Sequence, residues 1–186
     1  MSPHVLNALT ALRQGQVILY PTETVWGIGC DATHESAIKK IMRLKGRQDG
    51  KPFILLIESV NILPEYLAKI PDNAINLLNS SVPQTVIFPE GKNVSPLAMG
   101  SDGSIAFRIA KNSFCMELLK EFKKPIVSTS ANFSGKSTPK SFHEIDPLLI
   151  SKVDYVVEWE YENSDYQKPS GIVKIMDDGS VEVIRE

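Results

Sequence analysis

The feature that most constrains this chain is a pattern of short apolar runs, each ending on polar residues, with helix-like stretches between them. The clearest case is Val17-Ile18-Leu19-Tyr20, an apolar strand that stops at Pro21 and runs into Thr22, Glu23 and Thr24, followed by Gly27 and Gly29. Hydroxyls, a carboxylate and bare backbone at the end of such a strand suit a small polar ligand. Phe53 to Ile57 is a second run, rich enough in apolar residues to be covered on both faces. Gln84 to Phe88, Ser104 to Ile109 and Ile126 to Thr129 read as further strands, and Val153 to Val157, Gly171 to Lys174 and Val181 to Ile184 as three late ones. Asp177-Asp178-Gly179 is a hairpin turn signal between the last two.

Helical spacing predicts helices over 3–14, with Val5, Leu6, Leu9 and Leu12 on one face, and over 34–44, with Thr33 as N-cap and Ala37, Ile38, Ile41 and Met42 inward. Shorter helices are expected at 59–68 and 71–79, and one at 114–122. Residues 89–103 and 130–140 read as loops. Alternating helices and strands with a strand-rich end predict an α/β fold, a twisted mixed parallel and antiparallel sheet with flanking helices. At 186 residues the chain fits one domain over 1–186.

Composition removes several function classes. A net charge of -2 provides no global field toward nucleic acid or membrane, so any RNA contact must come from a local basic patch. Cys30 and Cys115 lie far apart without a CxxC partner, and His4, His34 and His143 are scattered, so no metal site is expected. The start MSPHVLNALT lacks a cationic, apolar leader, and no long apolar segment follows; a cytoplasmic protein is the expectation. The acidic run Glu158, Glu160, Glu162 and Asp165 reads as a solvated loop.

Several motifs carry chemistry. Gly135-Lys136-Ser137-Thr138 imitates the end of a P-loop, but Ser130 stands where the first glycine belongs and Pro139 interrupts the following helix. No GxSxG or GxGxxG motif is present. Lys39, Lys40 and Arg43 fit an exposed helix face. Lys45, Arg47 and Lys51 differ, because they fall where the helix breaks at Gly46. Arg47 offers a bidentate contact to an anion and Lys45 a point charge. Arg108 interrupts an apolar strand, and such an Arg either snorkels out or binds an anion. Ser128, Ser130 and Ser170 add hydroxyls at strand ends, where ligands of α/β sheets tend to bind.

In their order and spacing, YPTETVWGIGCDA, IMRLKGRQDGKPF, SIAFRIA, PIVSTSANFSGKSTP and PSGIVKI resemble the YrdC family, the threonylcarbamoyl-AMP synthases, in its short single-domain form. The resemblance covers nearly the whole chain. It implies an enzyme that makes threonylcarbamoyl-AMP and pyrophosphate from L-threonine, bicarbonate or CO2, and ATP, with Mg2+ accompanying ATP. The threonylcarbamoyl group then passes, through a separate transferase complex, to adenosine 37 of tRNAs. By the same resemblance Thr24, Arg108, Ser128 and Ser170 match threonine-side positions. Arg47, Lys51, Ser104, Ser130, Asn132 and Thr138 match ATP-side positions, and Lys45 with Arg47 matches the catalytic cations. Leu56 stands where many members carry a His that helps bind threonine, and Gly171 where many carry Thr. Two alternatives stay open: a relative that binds RNA or nucleotide without making the adenylate, and one acting on carbamoyl phosphate.

Overall fold

A computed structural model describes residues 2–47, 50–161 and 168–186. Its centre is one nine-stranded mixed sheet. In chain order the strands are β1 (Ile18–Tyr20), β2 (Gly27–Asp31), β3 (Ile54–Ile57), β4 (Gln84–Phe88), β5 (Ile105–Ile109), β6 (Ile126–Ser130), β7 (Tyr155–Val156), β8 (Gly171–Ile175) and β9 (Val181–Arg185). Across the sheet they run β7-β1-β2-β6-β3-β5-β4-β8-β9. β1/β7, β3/β5 and β4/β8 pair in parallel and the other neighbours antiparallel, as the alternating pattern predicts.

The main helices are α1 (Pro3–Arg13), α2 (Glu35–Lys45), α3 (Asp72–Leu78) and α4 (Ser113–Phe122). α2 begins one residue later than its sequence signal. His34 is its cap, accepting from Ala37 N through Nδ1 at 3.3 Å, whereas Thr33 is held by Asp31 Oδ1. The helix expected at 59–68 is a 3-10 turn over Val60–Glu65, because Pro64 lies inside it and supplies no N–H. The largest surprise is β2. The segment after Pro21 reads as a glycine-bearing loop, yet Gly27–Asp31 is an interior strand paired to both β1 and β6. Of the acidic run, Glu158 and Glu160 are exposed, and Glu162 and Asp165 lie outside the described residues.

Strand alternation divides the core. One face of the sheet buries Val17, Leu19, Ile28, Leu55, Ile57, Val86, Phe107 and Val127 beneath α2, α3 and the connections around them. The other face buries Ile18, Tyr20, Leu56 and Ile126 beneath α1 and α4, which pack on each other. That helix pair covers only part of its face. Ile54, Ala106, Arg108, Thr85, Ile87, Ser128 and Ser130 continue the same face beyond it and border a cavity. Hence the polar residues within the otherwise apolar strands IAFRI and IVSTS: they lie where no helix covers the sheet.

Candidate functional site

The cavity holds about 430 Å³, within the size range of small-molecule sites. Its floor is built of small side chains, Gly27, Ala106, Ser128 and Ser130, which leave depth for a ligand. The register sets Ser130 opposite Gly27, and Ser128 between Gly29 and Ile54. Arg47, Lys51, Arg108 and Arg185 all border the cavity, and among the described residues no carboxylate does. Such a wall attracts an anion.

At one end the β1–β2 connection folds on itself. Thr22 Oγ1 donates to Val25 O at 2.7 Å and accepts from Thr24 N and Val25 N. Thr22 Oγ1 and Thr24 Oγ1 share a hydrogen bond of 2.8 Å. Ser170 Oγ and Thr85 Oγ1 share a hydrogen bond of 2.8 Å on the opposite side. Arg108 is 4% exposed, and its Nε lies 3.0 Å from Oε1 of Glu23, itself buried. The pair meets at ion-pair distance but off the hydrogen-bonding direction, so neither atom gains a directed bond. Arg185 donates Nε and Nη2 to Ser170 O at 3.0 and 2.8 Å. Partial burial, and then the charge of Arg108, push the Arg185 pKa down; an anion near both guanidiniums relieves that repulsion.

The other end is built on the C-terminus of α2. Gly46 takes the left-handed conformation (φ 65°), and Arg47 N bonds back to Met42 O at 2.9 Å, turning the chain out of the helix. Arg47 Nη2 donates to Lys51 O at 3.1 Å and Pro52 O at 3.2 Å, and its guanidinium lies 4.0 Å over the Phe53 ring. These contacts fix the orientation of Arg47 at the rim. Lys45 is buried and donates from Nζ to Ser130 O at 2.5 Å and Asn132 O at 2.7 Å. Burial first, and then Arg47, lower its pKa to about 8. Asn132 Oδ1 accepts from Ser130 Oγ at 2.5 Å and its Nδ2 donates to Lys136 O at 2.7 Å. Ser134 N returns a bond to Lys45 O at 3.0 Å. Lys45 and Asn132 therefore fasten the loop after β6 to the end of α2.

Of the residues named from sequence, the cavity gathers Thr24, Arg47, Lys51, Arg108, Ser128, Ser130, Thr138 and Ser170. Lys45, Asn132 and Ser104 are outside its lining. The hydroxyl and N–H of Ser104 are both spent on Asp102 Oδ1, at 2.5 and 3.0 Å. Several lining residues were not anticipated. Arg185 is the main one, and its signal was present: like Arg108, it is an Arg in an otherwise β-like run. Trp26, tilted against Phe142 with ring centroids 5.0 Å apart, and Thr85 are the others of note. Leu56 is fully buried in the α1–α4 layer, register partner of Arg108, and does not border the cavity. The loop 89–103 contributes nothing to the lining, and main-chain bonds such as Ser95 N to Ala32 O (2.9 Å) pin it. Among the described residues no three His, Cys, Asp or Glu side chains cluster to hold a metal ion. Hydroxyls and cations line the cavity, and that donor set suits an anion and not direct coordination of magnesium. No helix of the described residues is long and apolar enough to cross a membrane.

Comparison with known proteins agrees with this architecture. Threonylcarbamoyl-AMP synthase of Stenotrophomonas maltophilia is 37% identical over 158 residues, covering 83% of this chain and 85% of that protein. Among solved structures, P. abyssi Sua5 complexed with L-threonine superposes with a TM-score of 0.82 at 28% identity, over 91% of this chain and 50% of that one. E. coli YciO superposes with a TM-score of 0.84 at 27% identity, over 98% and 88%. The Sua5/YciO/YrdC family model, described as Telomere recombination, matches residues 10–186. From the β1–β2 connection to Arg185, the elements that build the cavity lie within that match, and the chain belongs to the Sua5/YciO/YrdC family.

Proposed function

We propose that this protein is a threonylcarbamoyl-AMP synthase, an ATP-using nucleotidyltransferase acting in tRNA modification. One observation carries the reading: a single cavity combines a hydroxyl-rich end around Thr24 and Arg108 with a cationic rim at Arg47 and Lys51. A zwitterionic amino acid and a polyphosphate need those two chemistries side by side. The curated relatives' shared name, and the threonine complex of the Sua5 structure, support it.

In this reading Arg108 takes the threonine carboxylate, and the hydroxyls of Thr24, Ser128 and Ser170 take its ammonium and hydroxyl. The amine, once deprotonated, attacks CO2, or bicarbonate with loss of water, forming a carbamate. A carbamate oxygen attacks the α-phosphate of ATP, and pyrophosphate leaves. Phosphorus chemistry of this kind is mostly positioning and charge neutralisation. Arg47 and Lys51 offset the triphosphate charge, with Ser130 and Thr138 as hydroxyl contacts. Lys45 and Asn132 act by holding the loop that carries Ser130. Magnesium, bound with ATP, would supply further neutralisation of the triphosphate charge. The product passes to a separate transferase complex that modifies adenosine 37 of tRNA in the cytoplasm. Any tRNA contact falls to the basic face of α2, where Lys39 and Lys40 are already paired with Glu35 and Asp154.

Purified protein should release pyrophosphate from ATP only with L-threonine and bicarbonate both present. Threonine-independent release would refute the reading. Arg47→Ala should cut turnover at least about a hundred-fold, a loss of roughly 2.7 kcal/mol in transition-state stabilisation; unchanged nucleotide binding and turnover would remove Arg47 from the site.

A further inference from the structure

The two most buried charges beside the cavity are Glu23 and Arg108, and only Arg108 borders it. Glu23 is anchored from behind, its Oε2 accepting from Lys111 N at 3.4 Å, while its Oε1 meets Arg108 Nε at 3.0 Å. The Nη donors of Arg108 make no hydrogen bond to any described residue, and they are not enclosed as Nε is. One edge of the guanidinium thus faces a protein carboxylate and the other faces the cavity. Tyr20 and Cys115, two other titratable groups of this buried layer, are both pushed upward chiefly by burial and stay neutral at neutral pH. Arg185 presses on Arg108 from across the cavity with a like charge. Without Glu23, Arg108 would have neither a compensating charge nor a fixed orientation.

We propose that Glu23 is the positioning residue of the amino-acid end of the cavity. It holds Arg108 by the Nε edge so that the Nη edge is presented to a ligand carboxylate. Glu23 touches no ligand and acts wholly through Arg108. The carboxylate–guanidinium–carboxylate stack so formed lets a dry site receive a second anion without leaving a bare cation when empty. This rests on the amino-acid reading of that end.

The test compares Glu23→Gln and Glu23→Asp with the wild-type protein, reading L-threonine affinity and ATP affinity separately by calorimetry. Glu23→Gln keeps shape and loses charge. It should weaken threonine binding about ten-fold or more while ATP binding stays within about two-fold. Glu23→Asp keeps the charge with a shorter reach, and should fold and give an intermediate loss of threonine affinity alone. Equal losses for both ligands, or wild-type threonine affinity in Glu23→Gln, would overturn the proposal. A ligand-free measurement separates it from the functional reading: solvent exchange of the Arg108 Nε–H, followed by NMR. Exchange should be slow in the wild type and markedly faster in Glu23→Gln, and indistinguishable rates would overturn the proposal too. A wild-type protein that binds no threonine yet shows this difference in exchange would sink the amino-acid reading and leave Glu23 as the residue that holds Arg108.

Discussion

At the scale of single residues, Lys45 shows how a charge beside a cation-bordered cavity can work without lining it. Its ammonium ties Ser130 O and Asn132 O to the end of α2 and does not line the cavity. Lys45→Met keeps the stem and removes two donors, leaving two main-chain carbonyls without their partner. It should cost about 1–3 kcal/mol in denaturant unfolding and loosen the loop bearing Ser130. The lowered pKa gives a second handle. The folded protein releases this proton near pH 8, whereas the unfolded chain holds it to about 10.5. Between those values the unfolded state binds more protons, so this group's contribution to stability rises with pH there. Nucleotide affinity should move the other way, weakening as pH climbs through about 8 and the charge behind the rim is lost. In Lys45→Met both dependences should flatten; titrations over pH 7 to 10 that leave them intact would assign them to another group.

At the scale of elements, the strand that carries most of the argument is β2. Its two glycines do different jobs. A Cβ on Gly29 would meet Val127 O at 2.2 Å and Tyr20 Cε1 at 2.8 Å, so backbone would have to move. Gly29→Ala should destabilise the fold by about 1–3 kcal/mol or more, read as a lowered denaturation midpoint. A Cβ on Gly27 would meet Ser128 Oγ at 3.3 Å on the cavity side, with Thr22 Cγ2 and Tyr20 Cζ at an ordinary 3.5 Å. Gly27→Ala should keep near-native stability and weaken ligand binding by crowding Ser128. A reversed order of effects would contradict the placement of β2 under the cavity. These glycines also explain why β2 was hard to read in the sequence. Strand patterning shows through side chains, and a short strand with Gly27 and Gly29 on one face gives little alternation to read. β3, β4, β5 and β6 were legible because their buried residues recur with strand spacing. The 3-10 turn at Val60–Glu65 was missed because apolar spacing was weighed above Pro64.

At the scale of the whole molecule, function follows from how the sheet is covered. α1 and α4 shield part of one face and leave the rest to small and polar side chains, so the site is a bare stretch of sheet, not a set of strand tips. The polar interruptions Arg108, Ser128 and Ser130 were visible in sequence as polar groups in apolar strands, and their order along the chain carried the family resemblance. Three things were not visible. Arg185 arrives from the far edge strand through pairing of β9 with β8, a contact no local pattern encodes. Lys45 and Asn132 fasten the loop after β6, and only the folded geometry shows which carbonyls they reach. Glu23, in the connection after β1, lies beside Arg108 of β5, although those two strands are not neighbours in the sheet.

The central claim is that one cavity joins an amino acid, a one-carbon unit and an adenylate. Its most direct test is mass spectrometry of a single-turnover reaction containing ATP, L-threonine and isotopically labelled bicarbonate. The account predicts an adenylate that carries both the threonine and the label, formed with pyrophosphate and absent when either threonine or bicarbonate is omitted. AMP and pyrophosphate appearing without threonine, or an adenylate that excludes the label, would contradict it.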